Sequence, residues 1–183
     1  QPLLVPGHGV FASGKCDQYT RDIPYSTLAP LLQGLIRPLL GKRESSLAPW
    51  RAALQGAVGS NLGLVTGLVP DLEHVVGEQP PPPELPPQDA QRRFQLALGQ
   101  FIGVFARPDR PAVLFLDDLQ WLDAETLDLL AHLLQRPDLR NLLVIGAYRD
   151  NEVTATHPLY GKLHALRATK DVREIQLGPL TAP

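Results

Sequence analysis

The stretch VLFLDDLQWLD, residues 113–123, decides how this chain is read. With Ala112 before it, five apolar residues run without alternation into two adjacent carboxylates, Asp117 and Asp118. A continuous apolar run of that length marks a strand buried on both faces, as in a parallel sheet. In open α/β sheets, ligands bind beyond the carboxyl ends of the strands, so the two acids stand where a ligand would be met. Asp123 then offers an N-cap to a helix with Leu127, Leu130, Ala131 and Leu134 on one side. A second apolar run, LLVIGA at residues 142–147, follows. Strand, helix and strand over about 30 residues make a βαβ unit.

Two carboxylates delivered by a rigid strand suit a hydrated Mg²⁺, which takes one or two carboxylates together with phosphate oxygens and water. Asp117 is the expected metal ligand. Asp118 is expected to orient or polarise an attacking water. Apolar residues followed by Asp-Asp form the Walker B pattern. A polar loop beginning after a strand accounts for one acid more easily than for two in succession. Arg149, beyond the second strand, has two open readings: it senses or neutralises a terminal phosphate, or it pairs with the acids next door. Trp121 has two as well, a lid or a half-buried aromatic packing the turn.

Working outward, the first half of the chain reads as helical. Leu28, Leu31, Leu32, Leu35, Ile36, Leu39 and Leu40 recur at helical spacing and predict a helix over residues 25–40, bent or stopped near Pro38. Further helices are expected at 47–58 and at 61–76, the latter broken at Pro70. QPPPPELPPQ, residues 79–88, holds six prolines among residues 80–87 and favours polyproline II. It reads as a stiff connector rather than a docking ligand, because helical patterns resume on both sides. Asp89 is the expected N-cap of the next helix, with Arg92 and Arg93 at its start. Phe94, Leu98, Phe101, Ile102 and Phe105 lie on one face of that helix. A helix at 157–168 and a last strand at 172–177 (VREIQL) close the pattern. One partial domain over residues 1–183 is expected, divided into 1–78, the connector 79–88, and 89–183. The fold class is α/β, with a mostly parallel sheet and helices on both sides.

The 183 residues carry 44% hydrophobic residues, enough for one core, and 17 basic against 19 acidic residues. That balance gives no pull toward nucleic acid or an anionic membrane. A single cysteine, Cys16, excludes an internal disulfide and fits a reducing, cytoplasmic compartment. No apolar run approaches the roughly 20 residues of a membrane span, and no signal-peptide pattern opens the chain. The absence of methionine and the start at Gln1 lead us to expect a piece of a longer protein.

GVFASGKC, residues 9–16, matches G-x-x-x-x-G-K loosely, the pattern of a phosphate-binding loop. Its interior, Val10-Phe11-Ala12-Ser13, prefers extended structure. No buried strand precedes it and no amphipathic helix follows it, so its backbone is not set to converge on phosphate. Cys16 is a soft ligand, ill-suited to Mg²⁺. The stretch reads as a strand over residues 9–13 and its loop.

Taken together, GVFASGKCDQYTRDIPYSTL, RRFQLALGQFIGVFA, VLFLDDLQWLDAETLDLLAHLL, LLVIGAYRDNEV and IQLGPL resemble the AAA-type, STAND-class ATPase domain of large bacterial signalling proteins. Many of those proteins also carry serine/threonine kinase or histidine kinase domains. The resemblance implies a partial P-loop NTPase, a three-layer sandwich whose Walker A strand and loop precede Gln1 and whose C-terminal lid follows LGPL. It implies that QPLLVPGHG ends the helix after that loop, that GVFASGKC is the second core strand, and that its Gly-Lys takes no part in phosphate binding. It makes Asp117 and Asp118 the Walker B acids and Arg149 the sensor-1 residue. The implied cofactors are ATP and Mg²⁺, and the implied partners are nucleotide and neighbouring domains, kinases among them. The function implied is an ATP-dependent regulatory switch. A catalytically inactive NTPase-fold scaffold for protein contacts stays open beside it, and a phosphoacceptor receiver domain lacks the strand-end Asp and Lys it would need.

Overall fold

The computed structural model describes residues 9–20, 24–169 and 172–178. What the sequence suggests for QPLLVPGHG and LGPL falls largely outside them. Three strands form the sheet among the described residues: β1 (Val10–Lys15), β2 (Ala112–Asp117) and β3 (Leu142–Gly146), all parallel and in the order β1-β2-β3. The register pairs Lys15 with Asp117, so the tips of β1 and β2 end level. The expected second core strand is therefore a strand, and it runs two residues further than expected.

Among the described residues seven α-helices accompany the sheet: α1 (Leu28–Leu40), α2 (Glu44–Val58), α3 (Leu62–Leu68), α4 (Glu73–Val76), α5 (Pro87–Phe105), α6 (Ala124–Gln135) and α7 (Pro158–Thr169). The expected break at Pro70 is present, as a 3₁₀ turn over Pro70–Leu72 between α3 and α4. Pro38 does not stop α1, which continues to Leu40. Asp89 is not the cap of α5. The helix starts at Pro87, where proline's fixed φ suits a first helical position and its missing N–H costs nothing. Asp89 instead sits in the first turn, where its charge meets the positive end of the helix dipole.

The connector runs over residues 79–86 without regular structure and is held down at Pro80 and Pro83. Arg93 donates from Nη2 to the Pro83 carbonyl at 2.7 Å, and the Pro80 carbonyl lies against Gly63 of α3.

Both crossovers, β1 to β2 and β2 to β3, step in the same direction across the sheet. Right-handed connections then place their helices on one face. The burial follows. Ala12, Leu114 and Leu116 are buried beneath the helices, with Leu142 and Val144 partly buried beside them. Small residues let α1 come close: a Cβ on Gly34 would stand 3.1 Å from that of Ala12, and one on Gly14 would stand 3.2 Å from the Thr27 carbonyl oxygen. Leu31, Leu32, Leu35 and Ile36 of α1 are 1% exposed or less, so this is the centre of the core. The opposite face is open. Phe11, Leu143 and Ile145, which share it by register and alternation, are 53%, 55% and 38% exposed. The described residues thus show helices on one side of the sheet where the sequence leads us to expect both.

The last expected strand is corrected. Residues 172–178 run without a sheet partner, and Ile175 and Leu177 are 83% and 88% exposed. Their anchors are polar: Glu174 accepts from the Tyr148 hydroxyl at 2.8 Å and from Arg167 at 2.6 Å. Alternating apolar residues make a strand only where an edge receives them, and no such edge lies alongside this segment among the described residues.

Candidate functional site

The carboxyl ends of the three strands meet at one place. β2 delivers Asp117 as its last residue, and Asp118 turns the chain in the left-handed region, with φ 55° and ψ 45°. Aspartate tolerates that conformation better than most residues. The turn is fixed locally. The Asp118 N–H donates to Asp117 Oδ1 at 3.0 Å, and the Trp121 N–H donates to the Asp118 carbonyl at 2.9 Å. Leu119, the next residue, packs on Gly146 of β3, where a Cβ would strike its Cδ1. Trp121 is half-buried against the core, as the packing alternative had it.

Asp118 is the electrostatic centre. Its Oδ2 lies 3.3 Å from Lys15 Nζ at the tip of β1, and its Oδ1 lies 3.7 Å from Arg149 Nε beyond the tip of β3. Gln120 Nε2 donates to the same Oδ1 at 3.1 Å. Gln120's hydrogen bond, then Lys15 and Arg149, hold the Asp118 carboxyl below the usual carboxylate range, so it is ionised at neutral pH. Its side chain is only 16% exposed, while those of Lys15 and Arg149 are 71% and 63% exposed. The acid is held and the two cations reach into solvent, where each can turn to an incoming anion. Arg149 also pairs with Glu152 at 3.0 Å.

Two residues that sequence reasoning passed over organise this cluster. Gln120 is 2% exposed and bridges the strands, accepting from the Arg149 amide at 3.3 Å while donating to Asp118. His157 supports it: the Leu159 amide donates to Nδ1, which leaves the ring proton on Nε2 to bond the Gln120 carbonyl at 3.2 Å. The only sequence signal for Gln120 was its place in a strand–helix turn rich in buried residues. Lys15, at the tip of β1, is brought beside Asp118 by the register with Asp117; β1 is a strand and not a phosphate loop.

Asp117 lies on the open face of the sheet with Lys15. Its Oδ1 takes the Asp118 amide, and its second oxygen bears no hydrogen bond among the described residues. One free carboxylate oxygen, beside strand tips and next to cations, is a hard donor of the kind Mg²⁺ takes once phosphate and water fill the other positions. The donor set therefore fits the expected ion. Among the described residues no group of three or more His, Cys, Asp or Glu gathers into a cage of its own. Cys16 sits near these acids but is buried, and that burial pushes its thiol up to about 11, so it is a packed residue and not a nucleophile.

The three parallel strands thus bring two acids and two flanking cations to one end of the sheet of an α/β domain. The sequence places it more closely: the AAA ATPase domain family matches residues 3–145, and the chain belongs to that family. It is similar to hybrid signal transduction histidine kinase G of Dictyostelium discoideum, with 34% identity over 125 residues. That match covers 68% of this chain and 4% of the relative's length. No solved structure matches it.

Proposed function

We propose that this chain is the metal-and-acid part of a STAND-class ATPase switch within a signal-transduction protein, with Asp117 and Asp118 as its Walker B acids. The observation that carries this reading is the convergence of Lys15, Asp117, Asp118 and Arg149 on the carboxyl end of one parallel sheet. Asp117 would hold Mg²⁺ through its free oxygen. A bound Mg²⁺ would neutralise charge on the phosphates and orient them. Asp118, kept ionised and fixed by Gln120, accepts a hydrogen bond from the attacking water and positions it. Arg149 reports the terminal phosphate, and Lys15 adds a second cation on the other side of Asp118.

The phosphate loop itself belongs, in this reading, to a further parallel strand on the free edge of β3, with its helix covering the open face. The apolar Phe11, Leu143 and Ile145 supply the surface that such a helix would bury. Full burial of side chains of this kind is worth about 1.5–3 kcal/mol each. Nucleotide state would then govern how this domain packs against its neighbours, kinase domains among them, in a cytoplasmic protein. No helix among the described residues is long and apolar enough to cross a membrane.

The test is Mg²⁺-dependent ATP binding by the polypeptide that contains this segment together with the strand before it. Saturable binding that weakens on chelation supports the reading. No binding under those conditions returns the domain to the scaffold alternative.

A further inference from the structure

At the other end of the sheet, a tight turn carries charges that the nucleotide reading does not use. Arg107 and Arg110 form an antiparallel bridge in which each amide donates to the other's carbonyl at 3.0 Å. Residues paired in this way project their side chains to the same side, where like charges weaken the pairing. The turn nevertheless holds two guanidinium groups together, and neither has an ion-pair partner among the described residues. Arg110 is seated as well as unpaired. Its guanidinium carbon lies 3.9 Å from the centre of the Trp50 ring, and Trp50 stacks on Phe105 at 5.3 Å. Its Nε is buried without a hydrogen-bond partner. Burial, and then the Arg107 charge, draw Arg110 below the usual guanidinium range.

A pocket of about 280 Å³ opens at this turn, lined by Pro49, Trp50, Arg107, Asp109 and Arg110. It precedes β2, whereas Asp117 ends it, so β2's rise separates the two places by about 20 Å. Arg110, seated on Trp50, and the exposed Arg107 outnumber the Asp109 carboxylate beside them, and two guanidiniums suit a further carboxylate, which accepts from their planar forks. The apolar wall of Pro49 and Trp50 beside them suits a side chain next to that acid. We propose that this pocket docks an acidic segment of a partner protein, with its carboxylate on Arg107 and Arg110 and an apolar neighbour on Pro49 and Trp50. The charge is complementary, and the place is remote from the candidate nucleotide site, so the two can be occupied together.

Trp50 is the reporter. Trp50 and Trp121 are the chain's two tryptophans, so Trp121→Phe in the full chain isolates its fluorescence. The probes are a terminally blocked peptide of alternating Glu and Phe, its Gln-for-Glu counterpart, and inorganic phosphate. We expect a saturable fluorescence change with the Glu peptide, weakened by salt and at least about tenfold by Arg110→Gln. Arg107→Gln, at an exposed position, gives the same loss without disturbing the seat on Trp50. No saturation by the Glu peptide at about 1 mM, or an equal response to the Gln peptide, overturns the proposal. Phosphate binding more tightly than the Glu peptide also overturns it, by assigning the site to a free anion.

Discussion

Replacing Asp123 by alanine tests the turn that aims the candidate site. Asp123 is 4% exposed and caps α6: its Oδ1 accepts the Thr126 amide at 2.8 Å, and its Oδ2 accepts the Thr126 hydroxyl at 2.6 Å. Loss of an N-cap costs about 0.5–2 kcal/mol. The change also strands the hydroxyl of Thr126, which is 0% exposed, and an unsatisfied buried group adds about 1–3 kcal/mol. Together, Asp123→Ala should cost about 2–4 kcal/mol. In a domain of this size that lowers Tm by roughly 5–15 °C. Urea denaturation of the four members of a double-mutant cycle with Thr126→Val separates the two contributions. Once Asp123 is gone, Thr126→Val removes an orphaned hydroxyl, so the second substitution should cost little or even stabilise. A cost below about 0.5 kcal/mol for Asp123→Ala, or strict additivity in the cycle, would refute this account of the turn.

Two further predictions rest on other contacts. Cys16 is shifted from 9.0 to about 11, chiefly by burial, so native chain at neutral pH should react with a thiol reagent about a hundredfold more slowly than unfolded chain. Because the folded value lies above the unfolded one, the stabilisation is whole below pH 9.0 and is lost as pH rises through about 11; Cys16→Ala should flatten that alkaline limb of a stability profile. Gly63→Ala ought to gain about 1 kcal/mol from helix propensity, yet its Cβ would stand 2.5 Å from the Pro80 carbonyl oxygen. Net destabilisation of about 1 kcal/mol, with faster proteolysis within residues 79–86, is expected; a more stable variant would show that the connector is not packed there.

The parts of the fold that local chemistry dictates were legible. Unbroken apolar runs named β2 and β3, the Asp123 cap named α6, and extended preferences named β1 despite its resemblance to a phosphate loop. What depends on pairing between distant segments was not. Lys15 reaches Asp118 only because β1 and β2 align across a crossover that contains five helices. Gln120 gives no sign in the sequence that its amide is buried between two strand tips. Residues 172–177 have a strand's composition but find no partner edge. In α6, Leu129 and Leu133 join the core and are buried more deeply than the expected Ala131 and Leu134, and α7 packs against the helix as well. A single amphipathic stripe describes a helix with one buried side, and this one has more.

The most direct test of the central claim is single-turnover ATP hydrolysis by Asp118→Asn in the polypeptide that carries the whole nucleotide site, measured beside its Mg²⁺-ATP affinity. Asparagine keeps the shape and the bond to Gln120 but cannot act as the ionised acceptor. The account predicts affinity within a few-fold of the parent and hydrolysis slowed by about 10²–10⁴. Unchanged hydrolysis at unchanged affinity would remove Asp118 from the chemistry and contradict it.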